Sequence, residues 1–286
     1  RHTRYISVTG VQTCALPIFD GVPTVSRLTG MCGILGIFEG MRQRREDALA
    51  MLRSQRHRGP DSEGLFVSTS GKAILGQNRL SIIDLSDKAS QPMTSESGRY
   101  TLSLNGEIYN YIELRSELEL GYSFRSASDT EVLLAAFEKW GSACLEKLIG
   151  MFAFIIWDEV EKTAFVARDR FGVKPVYYHR RADGTLLVAS EIKALHAAGV
   201  PRNADQNTWA SYLARGAYGD ADATFWAGIS SLPAGHSFKW KDGRITIERW
   251  YDLGDAIGDA FDTRDENAVA EEYFALLKDS VRLRFR

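Results

Sequence analysis

Cysteine is scarce in this sequence: there are three in 286 residues. So few and so widely spaced thiols exclude a disulfide scaffold and a zinc knuckle, and cysteine chemistry here rests on a single thiol. Long hydrophobic runs are missing as well. The longest unbroken apolar run, Met151–Trp157, is far shorter than the ~20 residues that a membrane-spanning helix requires. We therefore expect a soluble protein of a reducing compartment, the cytoplasm, with no membrane contact.

The sequence also lacks an excess of charge of either sign and lacks a phosphate-binding loop. It has 35 Lys and Arg against 37 Asp and Glu, so no global attraction draws it to nucleic acid or to anionic lipid. No strand is followed by a G-x-x-x-x-G-K-[ST] segment, which excludes that type of nucleotide site. What is present in quantity is apolar sequence, 44% of all residues, which is enough for a large core.

The first part of the chain differs from the rest. Residues 1–30 have neither helical nor strand periodicity. Within them, Val8–Ile18 resembles translated sequencing-adaptor sequence. We therefore interpret residues 1–30 as a non-native leader or a genuine pro-segment, disordered in either case. Folding is expected to begin near Met31.

From Met31 onward, apolar runs with Gly and Ser turns alternate with helical spacing. Strands are predicted at 32–38, 64–67, 73–76, 80–83, 100–104, 151–157, 163–168, 176–178 and 186–189, with more in 225–240 and 245–251. Helices are predicted at 45–56, 111–118, 130–148, 191–198, 206–213 and 266–283. This order predicts an α+β layered domain. Residues 255–265 indicate a linker, and the uncapped helix that follows suggests truncation within a further domain.

Cys32 is the first candidate for catalysis because it directly follows Met31. If Met31 is the true start and is removed, one residue supplies both a thiol and a free α-amine. The amine, with a pKa of ~7.7–8.0, is partly neutral at physiological pH and can act as general base toward its own thiol. The alternative is a small buried residue in an apolar strand.

A second candidate is the pair Asn105-Gly106, predicted at the end of a strand. An Asn side-chain amide and a Gly backbone N–H can converge on one point, which is the arrangement of an oxyanion hole. A tight turn is the competing interpretation. Arg79, flanked by apolar residues, suggests a guanidinium held for a carboxylate. Asp129 suggests a partner for a substrate ammonium, or a helix cap, or both.

The candidates fall in a series of motifs that is much more specific than any one of them. In order along the chain these are Met31–Ile34, Arg56–Asp61, Arg79–Asp84, Asn105–Asn110, Ser128–Glu131, Arg168–Tyr178 and Ala189–Leu195. The series closely resembles the glutaminase domain of glutamine-hydrolysing asparagine synthetases, class II glutamine amidotransferases of the N-terminal-nucleophile hydrolase type. The resemblance covers residues 31–286 and implies a four-layer α-β-β-α sandwich of two antiparallel sheets.

Carried over residue by residue, the resemblance makes Cys32 the nucleophile and Asn105 and Gly106 the oxyanion donors. It implies that Arg79 binds the α-carboxylate of L-glutamine, and that Glu107 and Asp129 bind its α-ammonium group. No metal site and no cofactor are expected in these residues. The residues that precede Cys32 depart from the family pattern, because a retained leader would turn the amine into an amide.

The resemblance also implies a domain division: a glutamine amidotransferase domain over 31–254, then a linker and the first helix of a synthetase domain over 255–286. The whole enzyme would be a ligase that uses ATP and Mg²⁺ to amidate aspartate to asparagine, with ammonia supplied by this half. An amidotransferase for another carboxylate is the alternative, and a homodimer is left open. Two rivals remain: a Cys/His thiol hydrolase using one of four histidines (His57, His179, His196 or His236), and a leader-blocked domain that only binds partners.

Overall fold

The computed structural model describes residues 31–38, 45–217, 222–257 and 262–285. The predicted leader, residues 1–30, and the middle of the predicted linker lie outside the described residues. The strands are β1 Gly33–Phe38, β2 Ser62–Val67, β3 Ala73–Arg79, β4 Met93–Thr94, β5 Tyr100–Ile108, β6 Gly150–Asp158, β7 Thr163–Arg168, β8 Tyr177–Arg180, β9 Leu186–Ala189, β10 Ser230–Ser231, β11 His236–Lys241 and β12 Arg244–Arg249. The α-helices are α1 Arg45–Gln55, α2 Tyr111–Leu118, α3 Asp129–Trp140, α4 Cys144–Lys147, α5 Ile192–Ala197, α6 Gln206–Arg215, α7 Leu253–Ile257 and α8 Glu266–Leu283.

The strands form two six-stranded sheets in which every pairing between the described strands is antiparallel. The first sheet has the order β10-β8-β9-β1-β3-β2, and the second has the order β12-β11-β7-β6-β5-β4. In each sheet the apolar central strands are flanked by shorter or more polar edge strands. This order protects the hydrogen-bonding edges of the central strands.

Side chains alternate between two buried faces on the central strands. On β6, Ile155 and Trp157 point to a core between the sheets, whereas Phe154 and Ile156 pack on the other face against α2, α3 and α4. On β1, Ile34 belongs to the core between the sheets and Leu35 packs against α1 and α5. Burial of both faces explains why these strands are continuous apolar runs. The layers are therefore helix, sheet, sheet, helix, and the predicted α+β sandwich is confirmed.

Three local predictions were wrong in an informative way. Residues 80–83 form an irregular segment after β3, not a strand, and they line a pocket. The helix predicted over 130–148 ends at Gly141, whose φ of +59° breaks it into α3, a 3-10 turn and α4. Asn105 and Gly106 lie inside β5 and not in a turn. Pairing with β6 overrides the turn preference of the Asn-Gly sequence.

The predicted termini of many elements agree closely with the structure, including α2 at 111–118 and α8 at 266–283. Serine is the N-cap of α3: the Ser128 side chain accepts a hydrogen bond from the N–H of Thr130. Asp129 is consequently the first residue inside the helix, which leaves its carboxylate available for another role. No helix among the described residues has the length and apolar character needed to cross a membrane.

Candidate active site

One pocket brings together all six residues that the sequence singled out. It lies where β1 begins, β3 ends, β5 passes and α3 begins. The six predicted residues in its lining are Cys32, Arg79, Asn105, Gly106, Glu107 and Asp129. Residues from four separate segments of the chain meet here because β1 and β3 pair and β5 belongs to the facing sheet. Their chemical roles stay predictions.

Cys32 lies immediately before β1, and its sulfur faces the backbone just beyond β3. The Leu80 N–H points to Cys32 Sγ at 3.4 Å, and Sγ lies 3.7 Å from the Leu80 carbonyl oxygen. Arg58 Nε donates to the Cys32 carbonyl oxygen at 3.0 Å, and Arg58 Nη1 donates to Glu191 Oε1 at 2.9 Å. The backbone of Cys32 is thus fixed from one side by an ion-paired arginine while its thiol remains in the pocket.

The thiol is surrounded by charges of both signs. Burial raises the pKa of Cys32 above its ordinary value, and the carboxylate of Asp129 acts in the same direction. The hydrogen bond from Leu80 and the cations of Arg79 and Lys174 oppose that rise in pKa. A thiol in this setting is mainly protonated at neutral pH, so a nucleophilic role requires a base that removes its proton.

The open edge of β5 presents backbone donors toward the pocket. The Leu104 N–H donates to Gln91 Oε1 at 2.7 Å, and the Ile108 N–H donates to Asp129 Oδ2 at 2.9 Å. Because alternate residues of a strand direct their N–H groups to the same edge, the N–H of Gly106 lies between these two donors and points the same way.

The residue opposite Gly106 supports this orientation. Phe152 on β6 uses both its N–H and its carbonyl oxygen to bond Asp169, at 3.3 and 2.9 Å, and therefore directs neither toward β5. Gly106 has a φ of +146°, and a Cβ at this position would collide with the backbone of Met151 and Phe152. Only glycine fits this conformation and this space.

Asn105 supplies a second donor beside the first. It is fully buried, and neither its Nδ2 nor its Oδ1 makes a hydrogen bond to another described residue. An unsatisfied buried amide is costly, and a ligand in the pocket would supply the missing hydrogen-bond partners. Asn105 and Gly106 thus line the same pocket as the Cys32 thiol, and two convergent donors are what an oxyanion hole requires.

Arg79 carries a buried charge that forms no salt bridge among the described residues. Its side chain is 8% exposed, and its guanidinium donates to the carbonyl oxygens of Ser86, at 3.4 Å, and Asp84. Carbonyl oxygens hold the guanidinium in place. Hydrogen bonds from Ser86 lower the pKa of the neighbouring Asp84 carboxyl, and the guanidinium charge also lowers it without a salt bridge. A carboxylate entering the pocket would compensate that charge and accept its remaining N–H donors.

Asp129 and Glu107 are the complementary anions. Burial raises the pKa of Asp129 to about 6, although the Ile108 N–H and the Ser128 hydroxyl donate to its carboxylate. Burial and the neighbouring Asp129 raise the pKa of Glu107 as well, while Lys174 lowers it. No cation forms a salt bridge with either carboxylate within the described part of the chain. A positively charged ligand group would lower both pKa values.

Histidines contribute nothing to this pocket in the part of the chain that the structure describes. His57 contacts Glu191, and the other three, His179, His196 and His236, each contact a backbone carbonyl oxygen. None of the four lines the pocket. The geometry therefore counts against the Cys/His thiol hydrolase that the sequence left open.

Sequence reasoning missed two residues at the pocket. Lys174 lies in a motif that carried the family resemblance, yet a lysine in a polar turn gives no signal of burial. Gln91 bridges β5 and α3, since its Nε2 donates to Thr130 Oγ1 at 2.9 Å while its Oε1 accepts from Leu104. A lone glutamine outside any motif could not be recognised as a pocket residue.

Comparison with known proteins agrees with the fold. A family described as a glutamine amidotransferase domain matches residues 31–251. The chain is 37% identical over 228 residues to a glutamine-hydrolysing asparagine synthetase of Bacillus subtilis, covering 77% of this chain and 35% of that protein. It is 41% identical over 168 residues to asparagine synthetase B of Escherichia coli, covering 58% and 30%.

A third relative has a different name: the amidase chry2 of Gibberella zeae is 34% identical over 232 residues, covering 80% of this chain and 34% of that protein. The chain thus spans about a third of the length of the curated relatives it matches. Among solved structures, glutamine phosphoribosylpyrophosphate amidotransferase from Bacillus subtilis superposes with a TM-score of 0.60 at 23% identity. That superposition covers 77% of this chain and 49% of the other.

Proposed function

The chain belongs to the family of class II glutamine amidotransferases, and from that membership we propose that Cys32 hydrolyses L-glutamine to glutamate and ammonia. The observation that carries the proposal is a set of buried charges around one thiol that form no salt bridges. Arg79 and Asp129 are both buried and neither is in a salt bridge within the described residues. An α-amino acid has the two opposite charges that such a pair would bind.

The proposed reaction begins with transfer of the thiol proton of Cys32 to a base. The sulfur attacks the side-chain carbonyl carbon of glutamine, and the oxygen becomes an oxyanion that the Asn105 amide and the Gly106 N–H stabilise. The C–N bond then breaks, the nitrogen takes up a proton and leaves as ammonia, and a γ-glutamyl thioester remains. Water cleaves the thioester, which releases glutamate and restores the thiol.

The base in this proposal is the α-amine of Cys32 itself. No histidine among the described residues lines the pocket, and a free α-amine with a pKa of ~7.7–8.0 is partly neutral at physiological pH. The Met31–Cys32 peptide bond must be cleaved first, because an amide nitrogen does not accept the proton. Activity therefore requires that the nitrogen of Cys32 be a free amine and not part of a peptide bond.

The fate of the ammonia is a proposal on the whole protein. The similarity to asparagine synthetases supports delivery to an ATP- and Mg²⁺-dependent amidation of aspartate in a synthetase domain of which residues 255–286 would form the beginning. We propose residues 31–254 as the glutaminase domain. Amidation of a different carboxylate is the second candidate, and the relative named as an amidase supports it. The described residues contain no group of three or more His, Cys, Asp or Glu that could hold a metal.

The test compares two forms of the protein: the chain with residues 1–31 attached and the same chain released by proteolysis so that it begins at Cys32. Release of glutamate and ammonia from glutamine is measured for both, after mass spectrometry has confirmed each amino terminus. We expect the released form to turn over glutamine at least ~10³ times faster than the extended form.

Cys32→Ser in the released form is the matched control, and it should lose activity to a similar extent. Equal turnover by the extended form would contradict the α-amine base. Absence of turnover by both forms would contradict glutamine hydrolysis and would support a domain that only binds partners.

A further inference from the structure

Lys174 is the one buried cation of the pocket whose role is not explained by glutamine binding as proposed above. It follows β7 in a turn that Asp169 holds: the carboxylate of Asp169 accepts from the N–H groups of Val173 and Lys174, each at 3.0 Å. Arg168 also donates to the Lys174 carbonyl oxygen at 2.8 Å. The backbone of Lys174 is therefore fixed on both sides of its Cα, and its side chain enters the pocket from a rigid base.

The ammonium of Lys174 faces the amino-terminal side of Cys32. Its Nζ lies 3.4 Å from the Sδ atom of Met31, the residue whose removal would free the α-amine. No carboxylate forms a salt bridge with it among the residues that the structure describes. A half-buried ammonium without a salt bridge costs stability, and such groups concentrate at functional sites.

The charged groups that face Lys174 come from several elements. Burial and the nearby guanidinium of Arg58 lower the pKa of Lys174, while Cys32, Asp169 and Glu107 raise it. Around Cys32 itself, Lys174 and Arg79 favour the thiolate and Asp129 opposes it.

We propose that Lys174 is a positioning residue whose ammonium favours the unprotonated forms of Cys32, the thiolate and, in the processed protein, the free α-amine. A cation next to a titrating group favours the form with the lower positive charge, and both forms of Cys32 fit that description. The role of the amine rests on the proposed function, whereas the effect on the thiolate does not.

The experiment follows alkylation of Cys32 by iodoacetamide in the full chain, with Lys174→Met and Lys174→Arg beside the unmodified protein. Rates are measured by peptide mass spectrometry from about pH 7 to about pH 11, a range that extends well above the ordinary thiol pKa because burial raises that of Cys32. Cys144 is fully buried and serves as an internal control for the fold. We expect the midpoint to rise by about 0.5–1 pH unit in Lys174→Met and to stay unchanged in Lys174→Arg.

The same variants in the protein that begins at Cys32 should show the acid limb of kcat/KM at higher pH for Lys174→Met only. An unshifted alkylation midpoint in a folded Lys174→Met protein would overturn the inference. Reaction of Cys144 in Lys174→Met would show that this variant has lost its fold. Lys174→Gln then replaces it, and a midpoint that does not differ from that of Lys174→Arg would overturn the inference. Because alkylation needs no glutamine, a shifted midpoint in a protein without glutaminase activity would refute the proposed function and retain the role of Lys174.

Discussion

The turn after β7 and the pocket wall beside it both contain buried charged side chains, but the two regions differ in the hydrogen bonds that these side chains make. In the turn after β7, the Asp169 carboxylate is 1% exposed and every hydrogen bond it accepts comes from a backbone N–H. The four donors are Phe152, Phe171, Val173 and Lys174. In the pocket wall, Asp129 is nearly as buried and accepts from Ile108 and Ser128. The pKa of Asp129 is raised to about 6.

The arginines of the two regions differ in the same manner. Arg168, the last residue of β7, donates to the carbonyl oxygens of Gly172, Lys174 and Leu232 and to the Ser231 hydroxyl. Arg79, in the pocket wall, donates to two carbonyl oxygens. The turn is thus a structural element whose polar groups are satisfied internally. Polar groups in the pocket wall have hydrogen-bonding atoms without partners among the described residues, which costs stability in the absence of a ligand. A bound ligand would supply those partners.

Removal of an unsatisfied donor should affect the reaction and leave the fold intact. Asn105→Ala should lower kcat for glutamine hydrolysis ~10²–10³-fold, because one of two oxyanion donors is lost. Steady-state kinetics of the protein that begins at Cys32 measures this effect. The unfolding temperature should change little, since the Asn105 side chain makes no hydrogen bond to another described residue.

Ser103→Ala is the matched control on the same strand. Ser103 is fully buried, its hydroxyl has no partner among the described residues, and it does not line the pocket. We expect kcat close to that of the unmodified protein. Equal losses in the two variants would indicate a general effect of β5 and would contradict the role of Asn105.

Removal of the satisfied carboxylate should affect the fold first. Asp169→Ala leaves four backbone N–H groups without their acceptor. We expect a loss of about 3 kcal/mol in the free energy of unfolding, measured by urea denaturation. Any loss of activity in this variant should come from displacement of Lys174 and of the other pocket residues.

Asp129→Asn gives the opposite result and completes the comparison. Its pKa is about 6 in the folded protein against an ordinary value of 3.8, so the folded state holds its proton more tightly than the unfolded state does. The unmodified protein therefore loses stability as pH rises from about 4 to about 6, by up to ~3 kcal/mol, and the penalty persists above that range. The Asn variant should lack this loss, and equal pH profiles would contradict the assignment.

The smallest effect is expected for the cation of the pocket wall. Arg79→Met should raise KM for glutamine ~10–50-fold with little change in kcat, because a contact present in both ground and transition states is removed. Arg168→Met is the comparison variant, and its loss should appear mainly in the unfolding temperature. An unchanged KM in Arg79→Met would count against carboxylate binding by this residue.

Local sequence patterns predicted much of the fold because they report on local physics. The continuous apolar run of β6 was sufficient to place that strand, and the serine cap was sufficient to place the start of α3. They failed where the decision was tertiary. The Asn105-Gly106 pair has the composition of a turn, yet pairing with β6 over the whole of β5 holds it extended. Residues 80–83 have the composition of a strand, yet none of the described strands pairs with them.

The sequence by itself determined which chemical groups are available: a cysteine after a methionine, an amide beside a glycine, and separate charges of both signs. It could not determine their burial or their partners, because those depend on which segments the two sheets bring together. Only the tertiary structure gave Asp169 four backbone donors and Arg168 four oxygen acceptors, while Arg79, Asp129 and Lys174 line a pocket without a salt bridge among the described residues. The physical reason is that desolvation is a property of the packed neighbourhood and not of the residue.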